Sequence, residues 1–165
     1  DLVRSRGLGD VYKRQLREGD PEATVRAVRM SVSLKARVVA ADENESGERM
    51  LLNLGHTVGH GLEAAEDYRG LRHGEGVALG MVAALRVGRA LGTTSQADAE
   101  RLSRLMSTLG LPTDLDSRLS DRVFGYVVSD KKKRGKGIRF IVPGRPGDTW
   151  IETLTVEQIK AAVVG

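Results

Sequence analysis

Three histidines, His56, His60 and His73, are the only ones in 165 residues, and they fall within eighteen consecutive positions. Random placement rarely concentrates a scarce residue so tightly, so the three are expected to share a site. A neutral imidazole binds divalent metals and a protonated one binds anions, so such a site suits either kind of ligand. His56 and His60 are four residues apart, which on a helix puts both rings on one face about a turn from each other. His73 follows across a short loop, so two or three imidazoles could gather round one metal or one anion. Taken alone, the pair fits equally well two partly buried helix histidines bonded to carbonyls; the nearness of His73 favours the shared site. Two known patterns are excluded. A zincin needs Glu directly after the first His, where this chain has Thr57, and an HD-type phosphohydrolase needs a His-Asp dipeptide, which does not occur. The chain has no Cys, so thiolate ligands, Cys nucleophiles and disulfides are also excluded, and a metal would be held by His and carboxylates.

Gly55, Gly59 and Gly61 flank the histidines inside an expected helix, where each glycine costs roughly 1 kcal/mol relative to Ala. Close helix contact and near approach of a ligand explain them equally well. Arg49 and Asn53 are expected on the same helical stripe as His60. One face would then offer a guanidinium, an amide and two imidazoles, a set suited to a phosphorylated or carboxylated small molecule. The run Lys131-Lys132-Lys133-Arg134 before Gly135 reads first as a solvated turn and second as an anion contact.

The elements that must position these residues are mostly helical. Asp20-Pro21 reads as an N-cap and first helical residue, opening a long, mostly buried helix that stops near Glu43. A second helix is expected from Arg49 to about Glu66, a loop from Tyr68 to Arg72, and a strongly apolar third helix from Gly74 to Leu91. A fourth, Ser95 to Leu109, carries its cap signal in Ser95 and Asp98 and its stop in Gly110 and Pro112. A less regular fifth follows from Leu115 to Asp130. Ile138 to Val142 and Thr149 to Leu154 read as two strands across a Pro-Gly turn, and Thr155 caps a last short helix. The fold class is therefore mainly α, a helical bundle with a small C-terminal β-hairpin.

Residues 1–15 show neither helical nor strand periodicity and are set aside as a non-native or disordered leader, leaving residues 16–165 as one domain. The whole chain has 26 Lys plus Arg against 22 Asp plus Glu. The leader contributes Arg4, Arg6, Lys13 and Arg14 against Asp1 and Asp10, so the formal net charge falls from +4 to +2 without it. A nearly balanced surface lacks the broad basic footprint of a nucleic-acid binder. No apolar run reaches the 18 or so residues of a spanning helix, so no membrane partner is expected and the location is read as cytoplasmic.

Two segments carry a resemblance. Arg49-Met-Leu-Leu-Asn53-Leu-Gly-His56-Thr-Val-Gly-His60 and His73-Gly-Glu-Gly-Val-Ala-Leu-Gly-Met81 closely resemble the C-terminal domain of 3-dehydroquinate synthases. The likeness extends upstream through Lys35-Ala-Arg-Val-Val-Ala-Ala-Asp42-Glu43, and downstream to Asp130-Lys131-Lys132 and Gly137-Ile-Arg-Phe-Ile-Val-Pro143. It implies the helical fold of that domain, a phosphorylated keto-acid sugar as substrate, transient use of NAD, and a divalent metal, Zn2+ or Co2+. It also implies a homodimeric parent enzyme. By resemblance His56 and His73 are metal ligands, His60 and Asn53 hold the substrate phosphate, and Lys35 and Arg49 lie near its carboxylate and ring hydroxyls. A lysine of the Asp130-Lys131-Lys132 motif, Lys131 by preference, would also reach the substrate.

Family members are about twice as long, with an N-terminal Rossmann-like NAD domain and a Glu metal ligand that find no match in this sequence. The resemblance therefore implies a truncated synthase with two of three metal ligands and no NAD site of its own. Glu75, near His73, reads better as a helix-starting carboxylate than as a substitute ligand. Alternatives are another sugar phosphate cyclase, a metal-dependent alcohol dehydrogenase, or a non-enzymatic module using the basic run. The spacing of Arg49 and Asn53 favours the synthase.

Overall fold

The computed structural model describes residues 13–42, 47–131, 137–145 and 147–165. Residues 1–12 of the proposed leader lie outside it, as do residues 132–136 of the basic run; residues 13–17 form a short helical segment. The main elements, in order, are α1 (Pro21–Ala41), a 3-10 turn (Glu48–Asn53), α2 (His56–Ala65), α3 (His73–Ala90), α4 (Gln96–Thr108), a second 3-10 turn (Leu115–Arg118), α5 (Asp121–Lys131), β1 (Ile138–Pro143), β2 (Thr149–Leu154) and α6 (Val156–Val164). The expected class, a helical bundle with one small hairpin, is the observed one.

The capping residues act where the sequence places them. The Asp20 carboxylate accepts from the Ala23 amide at 2.7 Å with Pro21 opening α1. The Ser95 hydroxyl accepts from the Asp98 amide at 3.0 Å, and Thr155 forms a reciprocal capping box with Gln158. The strands pair antiparallel with Ile138 opposite Leu154 and Pro143 opposite Thr149.

The core forms round α3, whose Leu79, Ala83 and Ala84 are fully enclosed. α3 packs against α2, α4, α6 and β1, while α2 also meets α5. The hairpin is pinned to the end of α3 through a buried side chain: the Thr94 hydroxyl donates to the Pro143 carbonyl at 2.5 Å, over Gly88.

Three expectations are corrected. α1 is long but not buried: Ala23 is its only buried residue, while Val25, Val28, Met30, Val32 and Leu34 are 50–61% exposed. Periodicity shows that a helix carries an apolar face, and is silent on whether the same chain supplies the surface opposite. The expected single helix from Arg49 to Glu66 is two elements, because Gly55 turns left-handed at φ 84° between the 3-10 turn and α2. Its amide lies against α3 so closely that a Cβ there would meet the Val77 carbonyl at 2.7 Å. The chain can reach α3 at this point only through a residue without a side chain. The fifth helix is likewise split, by the break at 119–120 between the second 3-10 turn and α5.

Candidate metal centre

α2 and α3 lie side by side and both begin with a histidine, so His56 and His73 open neighbouring helices and His60 follows one turn into α2. The close approach is set by glycines. A Cβ at Gly59 would meet the Gly76 carbonyl oxygen at 2.8 Å, and one at Gly61 would meet that of Val123 on α5 at 2.9 Å. Of the two explanations for these glycines, helix contact is the one the structure bears out. They bring α3 and α5 in, and the histidines reach one place as a result.

The three imidazoles form a triangle. Ring centroids are 5.2 Å apart for His56 and His60, 5.2 Å for His56 and His73, and 5.8 Å for His60 and His73. One ring nitrogen from each lies within 4.8 Å of the others. His60 and His73 are exposed at the mouth of the site and His56 is half-buried beneath them. Burial pushes the His56 pKa below 6.5, with the neighbouring imidazoles adding to the shift and the carbonyls of Leu54 and Asn53 opposing it. His56 is thereby held neutral near pH 7, the form that binds a metal. Its Nδ1 lies 3.3 Å from the Leu54 carbonyl oxygen.

The remaining expected residues are placed differently from the single stripe imagined. Because the helix is broken at Gly55, Arg49 and Asn53 do not continue the face of His60. Asn53 ends the 3-10 turn with its backbone beside the His56 ring. Arg49 is half-buried in that turn, where its amide donates to the Asp42 carboxylate at 3.1 Å. Lys35 is exposed on α1, which packs on the same turn. Lys131 ends α5, and its side chain lies outside the described residues. Glu75 does start the helix, its carboxylate accepting from the Arg72 amide at 2.8 Å.

Glu63 was not foreseen. It is buried, and its Oε1 lies 2.9 Å from His73 Nδ1. A signal was available: residues 56, 60 and 63 fall at i, i+4 and i+7 on α2, and Leu62, Ala64 and Ala65 leave the carboxylate in apolar company.

The fold is found in larger proteins. It superposes with a TM-score of 0.77 on 2-epi-5-epi-valiolone synthase from Streptomyces hygroscopicus, solved with NAD+ and Zn2+ bound, at 22% identity over 99% of this chain and 47% of that one. A 2-deoxy-scyllo-inosose synthase complexed with carbaglucose-6-phosphate, NAD+ and Co2+ gives 0.68 at 24% identity, covering 83% of this chain and 39% of that one. These likenesses define the class by fold, a mainly helical domain that forms part of larger synthases.

Sequence narrows it further. Residues 6–133 match the family described as 3-dehydroquinate synthase C-terminal, and the chain belongs to that family. The 3-dehydroquinate synthase of Citrifermentans bemidjiense is 46% identical over 136 residues, 82% of this chain and 38% of the relative. That of Rhodococcus opacus is 38% identical over 159 residues, 88% of this chain and 43% of the relative. The chain thus spans less than half the length of the relatives it matches.

Proposed function

We propose that this chain provides the metal- and phosphate-binding half of a 3-dehydroquinate synthase. That enzyme converts 3-deoxy-D-arabino-heptulosonate 7-phosphate to 3-dehydroquinate and phosphate in the shikimate route to aromatic amino acids. The observation that carries the reading is the meeting of three imidazoles at the starts of α2 and α3, in a chain 46% identical to such an enzyme. The donor set fits a borderline divalent ion, Zn2+ or Co2+, which takes imidazole nitrogens at about 2.1 Å and leaves positions open for substrate oxygen. When bound, such an ion polarises the substrate hydroxyl to be oxidised.

The chain's own residues hold and orient. His56 and His73 are the metal ligands in this reading. His60, exposed and stacked beside His73, takes the phosphate together with Asn53. Arg49 and Lys35, on the turn and helix that lead into the site, face the substrate carboxylate and ring hydroxyls, and Lys131 approaches from the end of α5. Positive groups on several elements suit a substrate with a carboxylate and a phosphate better than any one of them would alone. NAD would be held by the part of the relatives that this chain does not span. The parent assembly is a homodimer working in the cytoplasm. Another sugar phosphate cyclase is the second reading, favoured by the fold likenesses; identities of 38–46% to dehydroquinate synthases against 22–24% to those structures favour the first.

Zinc calorimetry on the 165-residue chain and its three single His→Ala variants tests the assignment. His56→Ala and His73→Ala are expected to weaken binding at least tenfold, and His60→Ala to leave it within about threefold. If His60→Ala abolishes binding while His73→Ala leaves it intact, the ligand pair is His56 and His60 on one helix and the reading is wrong.

A further inference from the structure

We propose that Glu63 is a positioning residue for His73: it fixes the ring in the tautomer that carries its proton on Nδ1, and so aims the unprotonated Nε2 into the triad. This rests on the reading of His73 as a metal ligand. A carboxylate oxygen only accepts hydrogen bonds, so the ring nitrogen 2.9 Å from Glu63 Oε1 must be the one bearing hydrogen. In the neutral ring the other nitrogen then keeps its lone pair, which is what a metal needs. His73 itself is 61% exposed, so little else restrains its ring, whereas the Glu63 side chain is only 8% exposed. A buried carboxylate can hold an exposed imidazole in one rotamer because its own position is fixed by packing.

The packing is specific. Glu63 lies against α3 at Gly76, a position without a side chain: a Cβ there would meet its Oε1 at 2.6 Å, its Cγ at 2.9 Å and its Cδ at 3.1 Å. Gly76 is three residues after His73, on the next turn of the same helix, so α3 supplies both the imidazole and the notch for the carboxylate that holds it. His56 makes a different arrangement, with its Nδ1 facing the Leu54 carbonyl oxygen at 3.3 Å, a looser restraint. The two helix-opening histidines are thus oriented by unlike means, one by backbone and one by a buried charge.

The test uses the 165-residue chain with Zn2+ alone as the probe. In long-range 15N–1H spectra of the metal-free chain at pH 8, His73 is expected in the Nδ1–H form; the Nε2–H form would overturn the proposal without any variant. Glu63→Gln keeps the shape and removes the charge, and should weaken zinc binding 10- to 100-fold with the fold retained. Gly76→Ala leaves Glu63 in place but displaces its carboxylate, and should weaken binding in the same direction. His73→Ala combined with Glu63→Gln should bind zinc no more weakly than His73→Ala alone, a non-additivity that a merely structural role would not produce. Wild-type zinc affinity in Glu63→Gln, with His73→Ala impaired, would overturn the role of Glu63. Wild-type affinity in His73→Ala would overturn the metal reading beneath it, while the tautomer measurement still reports on the hydrogen bond.

Discussion

Arg86 joins three parts of the fold through one guanidinium. Its two terminal nitrogens donate to the Asp116 carboxylate at 2.6 and 2.8 Å, and one of them also to the Val163 carbonyl at 2.7 Å, tying α3 to the second 3-10 turn and to α6. The hydrogen bonds hold the Asp116 pKa below its ordinary 3.8. With Asp116 largely exposed, water screens the pair and its worth is about 1 kcal/mol or less. Because the folded pKa is the lower one, this stability is fully present above pH 3.8 and is lost as pH falls through the folded value. Asp116→Asn is therefore expected to lower Tm by about 1–3 °C at pH 7, with the gap to wild type closing at a pH well below 3.8. Scanning calorimetry at the two pH values checks this, and a gap that widens toward acid would contradict it. At this scale the histidines were legible because their scarcity and spacing are visible in one dimension. Glu63 was marked only weakly, by its place at i+7 from His56 among apolar neighbours, since a glutamate in a helix is ordinarily solvated and its burial depends on the notch at Gly76, thirteen residues on.

The ends of the helices were readable from Asp20, Ser95 and Thr155, whose side chains cap locally and need no distant partner. The break at Gly55 was not, because it is imposed by α3, which arrives from later in the chain. Glycines inside helices divide the same way. Gly80 sits against Gly55, and a Cβ on it would overlap the Gly55 carbonyl oxygen, whereas Gly125 on α5 has open space around it. Gly80→Ala should cost about 1–3 kcal/mol or more, forcing α2 and α3 apart, and should weaken zinc binding with it. Gly125→Ala should instead stabilise by about 0.5–1 kcal/mol through helix propensity alone. Denaturant unfolding of the two variants separates them; equal effects would mean that the crossing of α2 and α3 is looser than its backbone contacts indicate.

At the scale of the whole molecule, the bundle from α2 to α6 encloses one core, while α1 packs on the first 3-10 turn and leaves Val25, Val28, Met30, Val32 and Leu34 exposed. Substituting Val28 and Val32 together by Gln should therefore leave the stability of the 165-residue chain within about 0.5 kcal/mol, as for exposed positions generally. A loss of several kcal/mol in thermal unfolding would place α1 in the core after all. The division of labour proposed above predicts that the chain alone, given NAD, zinc and substrate, releases no phosphate. Adding the N-terminal half of a close relative is expected to restore some activity. Turnover by the chain alone would show that it contains a complete site.

His56 and His73 are the opening residues of α2 and α3, with the turn at 66–72 between the two helices. A ligand gripped by both would act as a reversible crosslink across that turn, closing a loop of about 17 residues and restricting the opened state more than the closed one. Its first visible effect would be on local opening: amide hydrogens of α2 and the first turns of α3 should exchange more slowly when zinc is present, while those of α4 and the hairpin keep their rates. The site would then regulate the breathing of the helix pair that builds it.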